Sequence, residues 1–122
     1  MEGRAFFQGA GCRLSAVEYG NPEVQSIVIL HGMRDHALSM HTVALAFPEC
    51  HVITIDLRGH GDSDNAGSYT MTQFVADLRA LIDYFGLARP VLIGHSLGGH
   101  IVTKYAAIYP DEVDRLVVID GM

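Results

Sequence analysis

Residues 91–99, VLIGHSLGG, contain the pattern that decides the fold. A short aliphatic run leads into a G-x-S-x-G motif whose serine is Ser96, and a helical pattern follows it at once. This context predicts a sharp strand-to-helix turn, here called the elbow, with Ser96 at its apex and its hydroxyl projecting clear of the sheet. Any side chain at Gly94 or Gly98 would collide with the neighbouring strand and helix.

The same turn favours nucleophilic chemistry. A helix that begins directly after Ser96 points free N–H groups and partial positive charge towards the place where an oxyanion would form. The N–H of Leu97 is the natural first oxyanion donor. The alternative is a tight turn with a solvent-facing serine and no chemical role, but the strand before the motif and the helix after it favour the nucleophile.

Four short, mostly β-branched apolar runs predict strands that are covered on both faces. They are residues 27–30, 52–55, 91–93 and 116–119. Two shorter alternating stretches, residues 6–8 and 14–19, predict an antiparallel hairpin near the amino terminus.

Helical patterns separate the later strands. The clearest begins at Thr70, which forms a T-x-x-Q capping box with Gln73, and ends at Gly86. A second helix follows Ser96, and a weaker one covers about residues 38–46. The alternation predicts an α/β fold with a mostly parallel sheet and helices on both faces, in one domain over residues 1–122.

Composition narrows the class of protein. Eight Lys and Arg against fourteen Asp and Glu leave a net charge of −6, which argues against nucleic-acid binding. The longest purely aliphatic run, Ile27 to Leu30, is too short to span a bilayer, and the amino terminus lacks the apolar stretch of a signal peptide. We therefore expect a soluble, cytoplasmic protein without membrane contact.

Three motifs together resemble the first half of an α/β-hydrolase. They are His31-Gly32-Met33 after a buried strand, residues 56–63 (DLRGHGDS), and the turn at Ser96. Their order and spacing agree with that family, and the resemblance covers nearly all of the chain. The family fold, with its sheet truncated after about the sixth strand, is the expectation that follows.

The resemblance also implies roles at the site. The backbone N–H of Met33 would be the second oxyanion donor, whereas the alternative is that His31 and Gly32 merely form the strand-to-helix turn. Both descriptions can hold together. The loop from Arg58 to Ser63 resembles a scaffold that shapes one wall of the site, and it receives no catalytic role.

A serine nucleophile needs an imidazole base and an orienting carboxylate, which follow the serine in the chain order Ser, acid, His. His100 lies on the elbow helix itself, and His95 is expected to point away from the serine. Asp120 is either the triad acid or an exposed carboxylate that closes a strand. The triad histidine is thus expected beyond residue 122, which makes the chain a partial domain, without its cap, that is inactive alone.

The resulting functional expectation is an esterase-type serine hydrolase with a small-molecule substrate. It requires neither cofactor nor metal, and the spacing of His31, His36 and His41 does not favour a metal site. A C–C bond hydrolase, a thioesterase, a cofactor-free haloperoxidase and a non-catalytic small-ligand-binding protein remain alternatives in the same fold. The apolar run at 116–119 would be an open sheet edge, so self-association through it is expected.

Overall fold

The computed structural model describes residues 2–119, which form six strands and three α-helices. The strands are β1 (Glu2–Gln8), β2 (Arg13–Tyr19), β3 (Ser26–Leu30), β4 (His51–Asp56), β5 (Val91–His95) and β6 (Arg115–Ile119). The helices are α1 (His41–Leu45), α2 (Met71–Phe85) and α3 (Leu97–Ile108), with 3₁₀ turns at Ala37–Met40 and Pro110–Glu112. The predicted hairpin is β1 and β2, and the weaker predicted helix is the first 3₁₀ turn together with α1.

All the strands belong to one sheet in the order β1-β2-β4-β3-β5-β6. The neighbours of β2, which are β1 and β4, both run antiparallel to it, whereas the pairs β4–β3, β3–β5 and β5–β6 are parallel. The strands β4, β3, β5 and β6 therefore end at the same edge of the sheet. This edge is where α/β proteins usually bind their ligands.

Side-chain alternation along β3 shows how both faces of the sheet are covered. Val28 and Leu30 belong to the larger hydrophobic core, which includes buried residues of α2 and α3. Ile27 and Ile29 point to the opposite face, into a smaller core that includes Ala44 of α1. The predicted mostly parallel sheet with helices on both faces is confirmed.

Local signals set the ends of α2. The Thr70 hydroxyl accepts the N–H of Gln73, and the Gln73 side chain contacts the N–H of Thr70 in return, which completes the capping box. Gly86 ends the helix in the left-handed region, with φ 64°. Such a conformation is open to glycine without a steric cost, so the predicted helix end is confirmed.

The prediction that β6 is covered on both faces is wrong. All five of its residues are exposed, and Val117 is 42% exposed. The apolar run correctly predicted a strand, but it does not show whether other elements cover the two faces of that strand. Among residues 2–119, β5 is the only strand that pairs with β6, so its other edge is open as expected.

Within the described part of the chain, no helix has both the length and the apolar character needed to cross a membrane.

Candidate functional site

The predicted site residues lie at the carboxyl edge of the parallel strands. His31 and Gly32 follow β3, Asp56 ends β4, and Ser96 follows β5. The N–H of Ser96 donates to the carbonyl oxygen of Ile119 at 3.1 Å, which places the last described residue of β6 beside the same turn. The sheet order therefore brings three separate motifs to one edge.

Ser96 has the strained backbone that the motif predicts. Its φ of 54° and ψ of −114° lie outside the helix and strand regions, and only one other non-glycine residue among those described, Arg34, has a positive φ. Such a conformation costs on the order of 1–3 kcal/mol, which the surrounding structure must supply. The residue is only partly buried, and no described residue forms a hydrogen bond with its hydroxyl.

Close backbone packing on both sides of the turn supplies that constraint. A Cβ atom on Gly94 would overlap the backbone of Gly98 in the first turn of α3, and a Cβ on Gly98 would overlap the carbonyl oxygen of Leu30 in β3. The glycines thus let helix, turn and neighbouring strand approach to backbone contact. The predicted steric role of Gly94 and Gly98 is confirmed.

The turn after β3 packs directly against the serine. A Cβ placed on Gly32 would lie 3.3 Å from Ser96 Cβ and 3.1 Å from His95 Nδ1. Gly32 is buried, whereas the side chain of Met33 is 63% exposed. The first and third motifs therefore form one compact unit, and the side chain of Met33 lies outside its packed part.

Two backbone amides of this unit remain available as donors. Neither the N–H of Leu97, at the start of α3, nor that of Met33 donates to any acceptor within residues 2–119. The first N–H groups of a helix have no acceptor within the helix, which explains the free amide of Leu97. A developing negative charge beside Ser96 would meet partial positive charge from this helix end.

Both ring nitrogens of His31 form hydrogen bonds that hold the site together. Its Nδ1 donates to the carbonyl of Gly32 at 2.6 Å, and its Nε2 accepts the N–H of Leu57 at 3.0 Å. These partners fix the neutral tautomer, and burial lowers the pKa of His31. Since neither ring nitrogen is free, His31 is a structural residue and not a base for Ser96.

His95 packs against the turn after β3. Its ring contacts the same glycine as Ser96, and its Nδ1 is buried without a hydrogen-bond partner in the described structure. The absent partner favours the tautomer with the proton on Nε2, because a buried N–H without an acceptor is costly. His100 is exposed on α3. No histidine among residues 2–119 forms a hydrogen bond with Ser96.

Asp56 has a larger role than the sequence indicated. Its buried carboxylate accepts the N–H of Ala37 at 2.7 Å, the N–H of Asp62 at 3.1 Å and a guanidinium contact from Arg4 at 2.8 Å. Its carbonyl accepts the hydroxyl of Ser63. An aspartate at the end of a strand that is buried throughout was the available signal, because a buried carboxylate requires several donors.

The loop after Asp56 is held by a buried ion pair. The guanidinium of Arg58 contacts Asp77 of α2 at 2.7 Å and 3.0 Å, and it also donates to the carbonyls of Ala10 and Ser68. This agrees with the scaffolding role expected for the loop from Arg58 to Ser63. Asp120, the candidate acid, lies outside the described residues.

Known proteins share this sequence pattern and this fold. A family model for the alpha/beta hydrolase fold matches residues 25–122. The chain is 36% identical over 107 residues to lipase LipV of Mycobacterium tuberculosis, covering 88% of this chain and 41% of the lipase. It is 36% identical over 104 residues to an sn-1-specific diacylglycerol lipase of Mus musculus, covering 83% of this chain and 34% of that protein.

Solved structures of hydrolases have the same fold as this chain. Epoxide hydrolase A from Mycobacterium thermoresistibile superposes with a TM-score of 0.91 at 30% identity, covering 97% of this chain and 39% of that one. A thioesterase domain from the curacin biosynthetic pathway gives a TM-score of 0.90 at 26% identity, with coverages of 97% and 46%. In each of these comparisons the chain spans less than half of the matched protein. The chain belongs to the α/β-hydrolase fold family.

Proposed function

We propose that Ser96 is the nucleophile of a hydrolase that cleaves ester-type carbonyl substrates of small molecules. The observation that carries this proposal is the backbone of Ser96, held at φ 54° between a buried strand and a helix start with its hydroxyl unpaired by any described residue. Strain of this kind is maintained only where surrounding packing enforces it, and it recurs at reactive residues.

The proposed reaction uses backbone amides for charge stabilisation. The Ser96 hydroxyl attacks the substrate carbonyl, and the N–H groups of Leu97 and Met33 donate to the resulting oxyanion. The leaving alcohol departs, and water releases the acyl group from the serine. The exposed Met33 side chain is free to vary in this scheme, because only its backbone takes part.

The base that activates Ser96 is the missing component. His31 has both ring nitrogens bonded, and no other histidine among residues 2–119 forms a hydrogen bond with the serine. We propose that a histidine from polypeptide outside these 122 residues supplies the base, with Asp120 orienting it. The 122-residue chain by itself is then expected to hydrolyse esters at a negligible rate.

The same residues would serve a thioesterase, a C–C bond hydrolase or a cofactor-free haloperoxidase. The structural match to a thioesterase domain makes thioester substrates an alternative to esters. An aspartate nucleophile would favour an epoxide hydrolase, and Ser96 argues against that despite the structural match. We place ester-type substrates first because two of the curated relatives are lipases.

A second candidate is a binding protein that uses the same edge of the sheet for a small hydrophobic ligand. It is favoured by one observation, namely that Ser96 has no imidazole partner among residues 2–119. The two candidates differ in whether a covalent adduct forms on the serine.

A fluorophosphonate probe separates them. The 122-residue chain and a version extended by the codons that follow it in its gene are treated, digested with trypsin and analysed by mass spectrometry. Peptide 80–104 contains Ser96 as its only serine, so an adduct there identifies the nucleophile. We expect the adduct in the extended protein and ester hydrolysis that Ser96→Ala abolishes.

The matched control is Ser39→Ala, which removes an exposed serine whose hydroxyl contacts only the carbonyl of His36 and the side chain of Asp35, both in its own turn. It should leave both the adduct and the hydrolysis unchanged. An extended protein that binds ligands but gives no adduct on peptide 80–104 would establish the binding function instead.

A further inference from the structure

Three polar side chains form a hydrogen-bonded chain near the amino-terminal ends of β3 and β4, at the opposite end of these parallel strands from Ser96. The Oγ of Ser26 lies 3.0 Å from His51 Nδ1, and His51 Nε2 lies 2.6 Å from an oxygen of Glu18. Ser26 begins β3 and His51 begins β4, where the two residues are direct partners in the parallel register. None of the three belongs to a motif used above.

The sheet presents these side chains on a single face. Alternation places Ser26 on the same side as Val28, and His51 on the same side as Ile53, both of which lie in the larger core beneath α2. The ring of His51 packs edge-on against Phe85 at the end of that helix. The imidazole is therefore held rigidly, with 1% of its side chain exposed.

The geometry fixes the direction of the hydrogen bonds. An ionised carboxylate only accepts, so the short contact to Glu18 places a proton on His51 Nε2. In the neutral imidazole the other nitrogen then carries a lone pair, which accepts the hydroxyl proton of Ser26. This is the arrangement in which an oriented imidazole acts as the base for a serine.

Ser26 is also accessible from solvent. It is only partly buried and lines a cavity of about 380 Å³ together with Gln25, Phe85, Gly86 and Arg89. The site is far from the elbow, since six residues of extended chain between Ser26 and Gly32 span about 20 Å. The two serines can therefore be tested independently.

We propose that Ser26, His51 and Glu18 form a second nucleophilic site, which accepts the acyl group of an activated carboxylic ester. The Ser26 oxygen forms a bond to the carbonyl carbon as its proton passes to His51 Nδ1, and Glu18 stabilises the imidazolium. The ester C–O bond then breaks, and the leaving oxygen takes either this proton or one from water. The products are O-acyl Ser26 and the free alcohol or phenol.

The test uses the 122-residue chain carrying Ser96→Ala, so that its outcome does not depend on the elbow. The protein is treated with p-nitrophenyl acetate, quenched at short times and digested. Fragment spectra of peptide 14–34 distinguish Ser26 from Ser15, which is fully buried. We expect acetylation of Ser26 about 100-fold faster than that of Ser39, the exposed serine without an imidazole partner.

Two variants test the roles of the partners. Glu18→Gln retains an acceptor for His51 but removes the charge, and it should slow acetylation of Ser26 about tenfold. His51→Gln should reduce the rate to that of Ser39. Since His51 is buried, circular dichroism must show that this variant folds. Glu18 is 35% exposed, so the Glu18→Gln variant provides the test if His51→Gln does not fold.

Equal acetylation rates at Ser26 and Ser39 would overturn the proposal. So would an unchanged rate at Ser26 in a folded Glu18→Gln or His51→Gln variant. Neither result bears on Ser96, whose adduct is read on a different peptide.

Discussion

Arg58 and Asp77 face each other in the interior at an Nε–Oδ2 distance of 2.7 Å, with only 1% of either side chain exposed. The pair joins the loop after β4 to α2, and the Arg58 guanidinium also reaches the turn of the first hairpin at Ala10. Hydrogen bonding to Asp77 raises the pKa of Arg58. The Arg58 side chain thus connects three segments that are distant in sequence.

Removal of the carboxylate from this pair should be strongly destabilising. Asp77→Ala leaves a buried guanidinium without its counter-charge, which typically costs about 3–5 kcal/mol. Urea unfolding followed by circular dichroism measures the loss. The control is Asp83→Ala, which breaks a solvent-exposed pair with Arg79 and should cost less than about 1 kcal/mol. Equal losses in the two variants would contradict the buried role of Asp77.

Gly98→Ala should damage the elbow through backbone overlap. The added methyl group would meet the carbonyl oxygen of Leu30, which β3 cannot move without breaking its sheet pairing. Overpacking of this kind costs about 1–3 kcal/mol, and we expect the upper end of that range. Gly3→Ala is the matched control, because a Cβ there has no neighbour within 4 Å. A similar midpoint of unfolding in both variants would argue against close packing at the elbow.

Acidification should destabilise the protein through His31. Burial lowers the pKa of this residue from its ordinary value of 6.5, so below pH 6.5 the unfolded chain binds a proton that the folded chain resists. The free energy of unfolding therefore falls as the pH drops below 6.5, by at most about 1.4 kcal/mol per pH unit from this residue.

The measurement is urea unfolding at several pH values between neutral and about pH 5, within the range where histidines titrate. His31→Gln should lower stability at neutral pH and flatten the dependence on pH, with His36→Gln as the control at an exposed position. A His31 variant that keeps the full slope would show that the loss arises elsewhere.

The open edge of β6 should drive self-association of the 122-residue chain. Val117 is 42% exposed on a strand whose second edge is unpaired among residues 2–119. Val117→Lys places a charge on that edge, which disfavours strand pairing between molecules. Light scattering over a concentration series should show smaller particles for this variant. Leu45→Lys, at an exposed apolar position on α1, is expected to leave the association unchanged.

Local patterns explain why much of the fold was predictable. The capping box at Thr70, the glycine at 86 and the G-x-S-x-G turn each specify backbone geometry within a few residues, and all three are present as predicted. The exposure of the two faces of β6 was not predictable in this way, because its apolar run is also typical of a strand that is covered on both faces. Burial depends on the neighbours of a strand, which periodicity does not reveal.

The contact between Ser26, His51 and Glu18 was also invisible in the sequence. These residues come from three strands, and only the register of β3 and β4, together with the position of β2 beside β4, brings them together. Asp56 was likewise recognised only as part of a loop motif. Its bond to the N–H of Ala37 depends on how the segment after β3 returns across the sheet.

The close approach of Gly32 to Ser96 determines which neighbouring position tolerates substitution. A side chain at residue 32 would crowd Ser96 and His95, which would have to shift to make room for it. The next residue offers the opposite situation, because Met33 contributes only its main chain to the proposed chemistry and directs its thioether into solvent. A library at position 33 would therefore vary the surface beside Ser96 while the backbone of the two turns stays unchanged.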